Sequence, residues 1–342
     1  MSILINAYAT HRAPPALDFP HHLNAQRDLT DPDLREHLDG FIGYVLSRGD
    51  KQMTQRKYHL MRHLQRVQHH LSLTVEEAQL DGFSAWAAAA NAILYLPDGS
   101  VRDPSGQILL DAEGATPDAE ARVPYPADAE ARKARSMARL AELGIRVPPS
   151  LPPVIGEGEV ELRSSPDAAR RALALLIVAV RGEFWNSGGE FPRAELEARV
   201  GAGFDVLSPK EAAFLAAAAP ERQEIVDFAW RYEALFLLEW ALGHVPVLPD
   251  PTAICDVPAV VRIINRPGDR EFLAQSRLRP AGEILDALDL HLRLHWAIRQ
   301  ARLDNKPAPA GLDPGVIQER HYALNWLVRF EGADWDDIDT PT

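Results

Sequence analysis

Near the C-terminus, Val316 to Leu327 reads VIQERHYALNWL and places Glu319, Arg320, His321, Asn325 and Trp326 in one short segment. Upstream, LHLRLHWAIRQ adds His291 and His295. Carboxylates, guanidinium groups and imidazoles are the side chains that move protons, hold anions and bind metals. His291 and His295 are four residues apart, so one helix face can present both as metal ligands. With His321 from an adjacent antiparallel helix they would form a three-histidine site with an open position. Without a metal, His295, Glu319, Arg320, His321 and Asn325 are the candidates for a ligand or acid–base site between the last two long helices.

Helical phase weighs against a self-contained site. Each residue turns the helix by about 100°. Glu319 and His321 therefore point to nearly opposite sides. His321 aligns with Ile317, Leu324 and Val328, whereas Glu319 aligns with Tyr322 and Trp326. The segment also lacks the paired histidines of an H-E-x-x-H zinc helix. The simpler reading makes His295 and His321 core-edge imidazoles bonded to each other, to Asn325 or to a carboxylate. A buried polar group left unpaired costs about 1–3 kcal/mol, so such partners are expected. Asp289 and Arg293 have the spacing of an i,i+4 ion pair, worth a few tenths of a kcal/mol if exposed.

Three other stretches carry reactive or recognition residues. Cys255 precedes DVPAVV, and a thiol at a helix N-terminus can be activated, with His295 or His321 as a base. The competing reading is a small buried apolar residue just before the helix. Eight of the twelve histidines precede residue 71, and His59 and His63 are again four apart. Around them Lys51, Arg56, Lys57, Arg62 and Arg66 form a basic run that reads as a solvated face or as a dock for carboxylates. RGEFWNSGGEFPR (181–193) reads as a loop whose aromatic residues either plug the core or rim a recognition surface.

Composition sets the class. The chain has 342 residues, a formal net charge of −13, 46% hydrophobic residues and one cysteine. That charge disfavours nucleic acid and anionic membrane, because the summed field repels phosphate. A single cysteine excludes an intramolecular disulfide and a cysteine-based zinc cluster. The longest apolar run, ALALLIVAV (172–180), is too short to span a bilayer, and the opening residues do not read as a signal peptide. A cytoplasmic protein with no cofactor is expected. The phosphate-loop, dinucleotide, nucleophile-elbow and zincin motifs are all missing from the sequence.

The positioning elements read as α+β, mainly α. Residues 1–110 are expected to form a small α+β domain with a short antiparallel sheet. Ile3–Tyr8 alternates as a strand, Pro32 follows cap residues Thr30 and Asp31, and AILYLPDGSVRDPSGQILL reads as strands and tight turns. A helix is expected through Leu60, Leu64, Val67 and Leu71, and another from a Thr74–Glu77 capping box. Residues 111–127 read as a linker. Residues 128–342 are expected as an all-α, bundle-like domain, with helices opened at Ser165-Pro166, Ser208-Pro209, Asp256 and Asp313-Pro314.

Within that region RSMARLAELGIRVPPSLPP, RYEALFLLEWALG, CDVPAVVR, EILDALDLHLRLHWAIRQARL, LDPGVIQERHYALNWL and WDDIDTPT occur in order. Together they resemble a bacterial family, domain of unknown function 4272, over about residues 130–342. The resemblance supplies no catalytic residues. It implies an aromatic residue where this chain has His291, so a mechanism needing His291 would be private to this protein. The expectation is a non-enzymatic binding or interaction protein, immunity-like or accessory, with another protein as partner. The alternative is a small-molecule-binding protein or a hydrolase-type enzyme using the His/Glu/Arg set.

Overall fold

The computed structural model describes residues 1–49, 52–113, 117–189 and 191–342. They divide into two compact units, Met1–Ala131 with Pro149–Val160, and Arg132–Pro148 with Glu161–Thr342. The fold is α+β and mainly helical, with one six-stranded antiparallel sheet in the N-terminal part.

In the first unit the chain runs β1 (Ser2–Ala9), β2 (His22–Asp28), α1 (Pro32–Ser47), α2 (Gln55–Leu64), β3 (His69–Glu76), α3 (Leu80–Ala89), β4 (Ala92–Tyr95), β5 (Val101–Arg102) and β6 (Ile108–Leu110). The sheet order is β2-β3-β1-β4-β5-β6. Alternation along β1 divides its side chains between two cores. Ile5, Ala7 and Ala9 pack with Phe83 and Trp86 of α3. Tyr8 packs on the other face with Leu34, Leu38, Phe41 and Val45 of α1 and Leu60 and Leu64 of α2. The Asp31 carboxylate caps α1 by accepting from Asp33 N–H, with Pro32 at the first turn.

Two sequence expectations change here. The helix expected through Leu71 stops at Leu64, and Thr74 does not open another. Residues 69–76 are β3, with Leu71, Leu73 and Val75 buried on one face. Leu60, Leu64, Val67 and Leu71 satisfy a helical period by coincidence, because Leu71 also begins a two-residue alternation that wins once β1 is available to pair. The strand β2 went unread because its residues are mostly exposed and polar, as suits a sheet edge. Of the segment 111–127, residues 114–116 lie outside the described residues, and Ala121 is part of the α1/α2 core.

The basic run is largely engaged within the first unit. Lys57 Nζ donates to the Arg48 carbonyl, and Arg66 Nη1 donates to both oxygens of the buried Glu159 at 3.0 Å. Lys51 lies outside the described residues. His59 and His63 take separate partners, Tyr125 Oη at 2.7 Å and the Tyr8 carbonyl at 3.1 Å.

Helix α4 (Ala127–Glu142) leads into the second unit, which continues with α5 (Ser165–Ser187), α6 (Arg193–Val200), α7 (Pro209–Ala216), α8 (Arg222–Ala241), α9 (Val257–Asn265), α10 (Asp269–Gln275), α11 (Ala281–Leu303) and α12 (Pro314–Leu327). Helix starts follow their caps. Ser208 and Glu211 form a reciprocal capping box on α7, Asp256 caps α9 and Asp313 caps α12. Helix α5 is the centre of this unit, and Ala172 to Ala179 are fully buried on every side. It packs along α8, which packs in turn against α12, and α12 against α11.

The stretch read as a loop from Arg181 is helical through Ser187. Helix α5 ends only at Gly188, whose φ of 73° suits the left-handed C-terminal cap. At Gly182 the two central helices come so close that a Cβ would lie 2.7 Å from Ala229 N and 2.9 Å from the Ile225 carbonyl. Any side chain there would push α5 and α8 apart.

Candidate functional site

Just beyond the Gly182–Ala229 approach, α5 and α8 leave a groove whose third wall is α9. The deeper part is a cavity of about 210 Å³ lined by Val226, Ala229, Trp230, Tyr232 and Glu233 of α8, with Asn186, Ile254, Cys255 and Val257 around it. A second cavity of about 590 Å³ shares Asn186, Ala229, Tyr232 and Val257, and adds Glu183, Pro258, Val261 and Arg262. Val226, Ala229, Trp230 and Glu233 recur at i, i+3, i+4 and i+7, so one helix stripe forms the floor. Gly315 in the first turn of α12 lets the Trp230 ring lie against that turn, since a Cβ there would sit 2.6 Å from the ring.

The groove is apolar at its base and polar at chosen points. Tyr232 Oη donates to Glu183 Oε2 at 2.7 Å. Glu233 is buried and accepts from the Cys255 N–H on one oxygen and from Arg320 on the other, with Arg320 Nε at 3.2 Å. Arg320 Nη1 also donates to the Pro249 carbonyl at 2.8 Å. Arg320 thus stands behind the groove and neutralises the carboxylate that anchors the Cys255 loop. A buried carboxylate needs such a partner. The Arg262 and Asn186 side chains make no hydrogen bond or ion pair with any described residue.

The thiol is not activated. Cys255 Sγ donates to the Tyr232 carbonyl at 3.7 Å. Burial and the neighbouring Glu233 carboxylate push it well above the ordinary thiol range. The N-terminus of α9 does not offset this, because the Asp256 carboxylate already accepts from Ala259 N–H there. Burial, reinforced by the hydrogen bond to Glu183, also pushes the Tyr232 phenol up.

The sequence-derived residues fall in four separate places. Arg320 supports the groove as described. Glu319 turns the other way and accepts from Arg231 Nη1 at 3.0 and 3.1 Å, while the Arg231 guanidinium lies over the Tyr322 ring. His295 Nδ1 and His321 Nδ1 are 3.0 Å apart, both rings are buried, and they meet edge to face. One nitrogen donates and the other accepts, so the two imidazoles hold complementary tautomers. Burial pushes His295 down to about 4 and His321 well below its ordinary value. Asn325 Nδ2 donates to the Asp339 carbonyl at 2.8 Å and pins the C-terminal segment.

His291 does not join the pair. Its Nδ1 donates to the Ala287 carbonyl of its own helix at 2.8 Å, and burial pushes it down to about 4. Among the described residues, no three or more His, Cys, Asp or Glu side chains are grouped to hold a metal ion. The Asp289–Arg293 i,i+4 pair forms as its spacing predicts, and it is fully buried, with two 2.8 Å hydrogen bonds.

The sequence model of a family described as a domain of unknown function (DUF4272) matches residues 132–338. The chain belongs to that family. No curated protein and no solved structure matches the chain. The groove, its supporting Glu233–Arg320 pair and the His295–His321 pair all lie within the DUF4272 region. Among the described residues, no helix is long and apolar enough to cross a membrane.

Glu183, Asn186, Tyr232, Glu233 and Arg262 were not singled out from sequence. The nearest signals were the polar interruptions in otherwise apolar α8 and the glycines after Ser187, which mark the true end of α5. Neither tells that α9 folds across the same face.

Proposed function

We propose that this DUF4272 protein is a non-enzymatic binding protein whose ligand seats in the groove formed by α5, α8 and α9. The observation that carries this reading is a concave apolar base ringed by a few fixed polar groups, the usual form of a ligand site. The state of Cys255 supports binding over catalysis, since a thiol held protonated beside a carboxylate is a poor nucleophile. The histidines support it too. His295 and His321 are neutral partners of each other inside the helix pair, and neither lines the groove.

Methyl-resolved NMR with a library of small apolar fragments tests this reading. Fragments are expected to shift the methyl signals of Val226, Ile254 and Val257, and Val257→Asp is expected to abolish those shifts. Fragments that shift only methyl groups elsewhere would defeat the proposal.

A second reading follows from the exposure of Ile254, 62%, and of Trp185, 37%, beside Asn186. Large apolar side chains left open next to a cavity favour a protein partner that presents an apolar side chain. Ile254→Asp is then expected to break a complex that Val247→Asp, an equally exposed control, leaves intact.

A further inference from the structure

The groove presents opposite charges from two of its walls. Glu183 is on α5 and Arg262 on α9, and both line the cavity of about 590 Å³. Glu183 uses Oε2 to accept from Tyr232, and its other oxygen has no partner among the described residues. Among the described residues the Arg262 guanidinium has no carboxylate of its own, although the chain carries 49 acidic residues against 36 basic ones. In so acidic a protein an unpaired arginine on a cavity wall is a standing site for a carboxylate. Asn186 follows Glu183 by three residues, shares its side of α5 and offers both a donor and an acceptor. Adjoining this cavity, and sharing Asn186, Ala229, Tyr232 and Val257 with it, lies the apolar slot of Val226, Ala229, Trp230 and Val257, about 210 Å³, the size of one large side chain with little to spare.

From this arrangement we infer that the ligand is an apolar α-amino acid. Its side chain fills the slot over Trp230. Its ammonium group meets the free oxygen of Glu183 and the Asn186 carbonyl, and its carboxylate pairs with Arg262. Each polar wall group then has a complementary partner, and neither charge of the zwitterion is left unpaired on leaving water. An uncharged apolar molecule would fill the slot but leave the Arg262 and Glu183 charges unused. A basic or acidic side chain would meet the apolar base and be rejected. This inference rests on the groove being the binding site and adds the class of ligand.

The test is isothermal titration of the full chain with L-leucine, L-phenylalanine, L-lysine, L-glutamate, N-acetyl-L-leucinamide and the dipeptides leucyl-glycine and glycyl-leucine. Val226 and Val257 methyl shifts are followed in parallel. Leucine or phenylalanine is expected to bind, with lysine, glutamate and the blocked amide at least about tenfold weaker. Arg262→Gln and Glu183→Gln are each expected to weaken the preferred amino acid by about tenfold or more. Both side chains are exposed on helices, so these variants fold. Binding of the blocked amide as tightly as leucine, with shifts at Val226 and Val257, would overturn the zwitterion assignment and leave the groove reading standing. Tighter binding of either dipeptide than of the free amino acid would overturn it in favour of a peptide end. If none of the probes shifts Val226 or Val257, the amino-acid inference fails, while the fragment screen decides the groove reading separately.

Discussion

Glu233 and His321 are both buried polar side chains of the second unit, and each has its hydrogen-bond partner. They differ in what lies beyond that partner. Glu233 fixes the Cys255 loop at the edge of a cavity, with Arg320 behind it. His321 meets His295 across the α11–α12 contact and lines neither groove cavity. The first network shapes a space, and the second closes one. Residue type does not separate them, since both contain groups able to do acid–base work. What separates them is whether the backbone around them leaves room. Gly182 and Gly315 border that room, where helix and ring approach too closely for a side chain.

The comparison breaks first at Arg320. Arg320→Ala leaves the Glu233 carboxylate buried without its cation and is expected to cost about 3–5 kcal/mol in urea unfolding. Arg320→Met with Glu233→Gln removes both charges together and is expected to cost much less than Arg320→Ala alone. Equal costs for the single and double variants would mean that Glu233 is not held by Arg320.

Glu239 sharpens the contrast on the same helix. It is six residues after Glu233 and fully buried, and neither of its carboxyl oxygens has a partner among the described residues. Burial raises it well above the ordinary carboxylate range, so the folded chain resists its ionisation. The unfolded chain ionises it above about pH 4.3, so its burial costs more stability as pH rises past that value. Glu239→Leu is expected to stabilise the fold by about 1–3 kcal/mol at pH 7, with a smaller gain at pH 4. A loss of stability at pH 7 would show that the carboxyl has a partner the geometry does not reveal.

Much of this framework is legible in the sequence. Asp31-Pro32, Ser208 with Glu211, Asp256 and Asp313-Pro314 announce helix starts that the structure repeats, because capping is a local contest between one side chain and a few backbone N–H groups. The split of VIQERHYALNWL is legible too, with His321 to one side and Glu319 beside Tyr322 to the other, because helical phase is local. What is not legible depends on distant partners. Strand β3 needed β1 beside it, and β2 is a polar edge without the alternation that marks a half-buried strand. The groove needed α9 laid against α8, a placement that no single stretch encodes.

The buried histidines of α11 differ from the groove residues in their response to pH. His295 and His291 are both pushed down to about 4, from an ordinary value near 6.5. Above pH 6.5 both are neutral whether folded or unfolded, and they contribute no pH dependence. Between about 6.5 and about 4 the unfolded chain binds protons that the folded chain resists. Stability therefore falls with falling pH, by about 1.4 kcal/mol per unit for each such imidazole. His291→Phe places an aromatic side chain at the position where the family resemblance implies one. It also removes a buried ring nitrogen that has no partner. It is expected to flatten this slope by one imidazole's share, measured as unfolding free energy at pH 7 and pH 5. An unchanged slope would mean that His291 is protonated as easily in the folded chain as outside it.

The smallest expected effect is on the groove wall. Glu183→Gln keeps an oxygen that can accept the Tyr232 hydroxyl and removes only an exposed charge, so the unfolding free energy should change by less than about 0.5 kcal/mol. The same substitution should weaken binding of an apolar amino acid markedly. A large fall in stability without a change in binding would place Glu183 with the sealed interior. A stable variant that has lost its ligand would place it with the site, because a wall of a binding groove is tuned to what enters it, whereas a sealed polar pair is tuned only to its own partner.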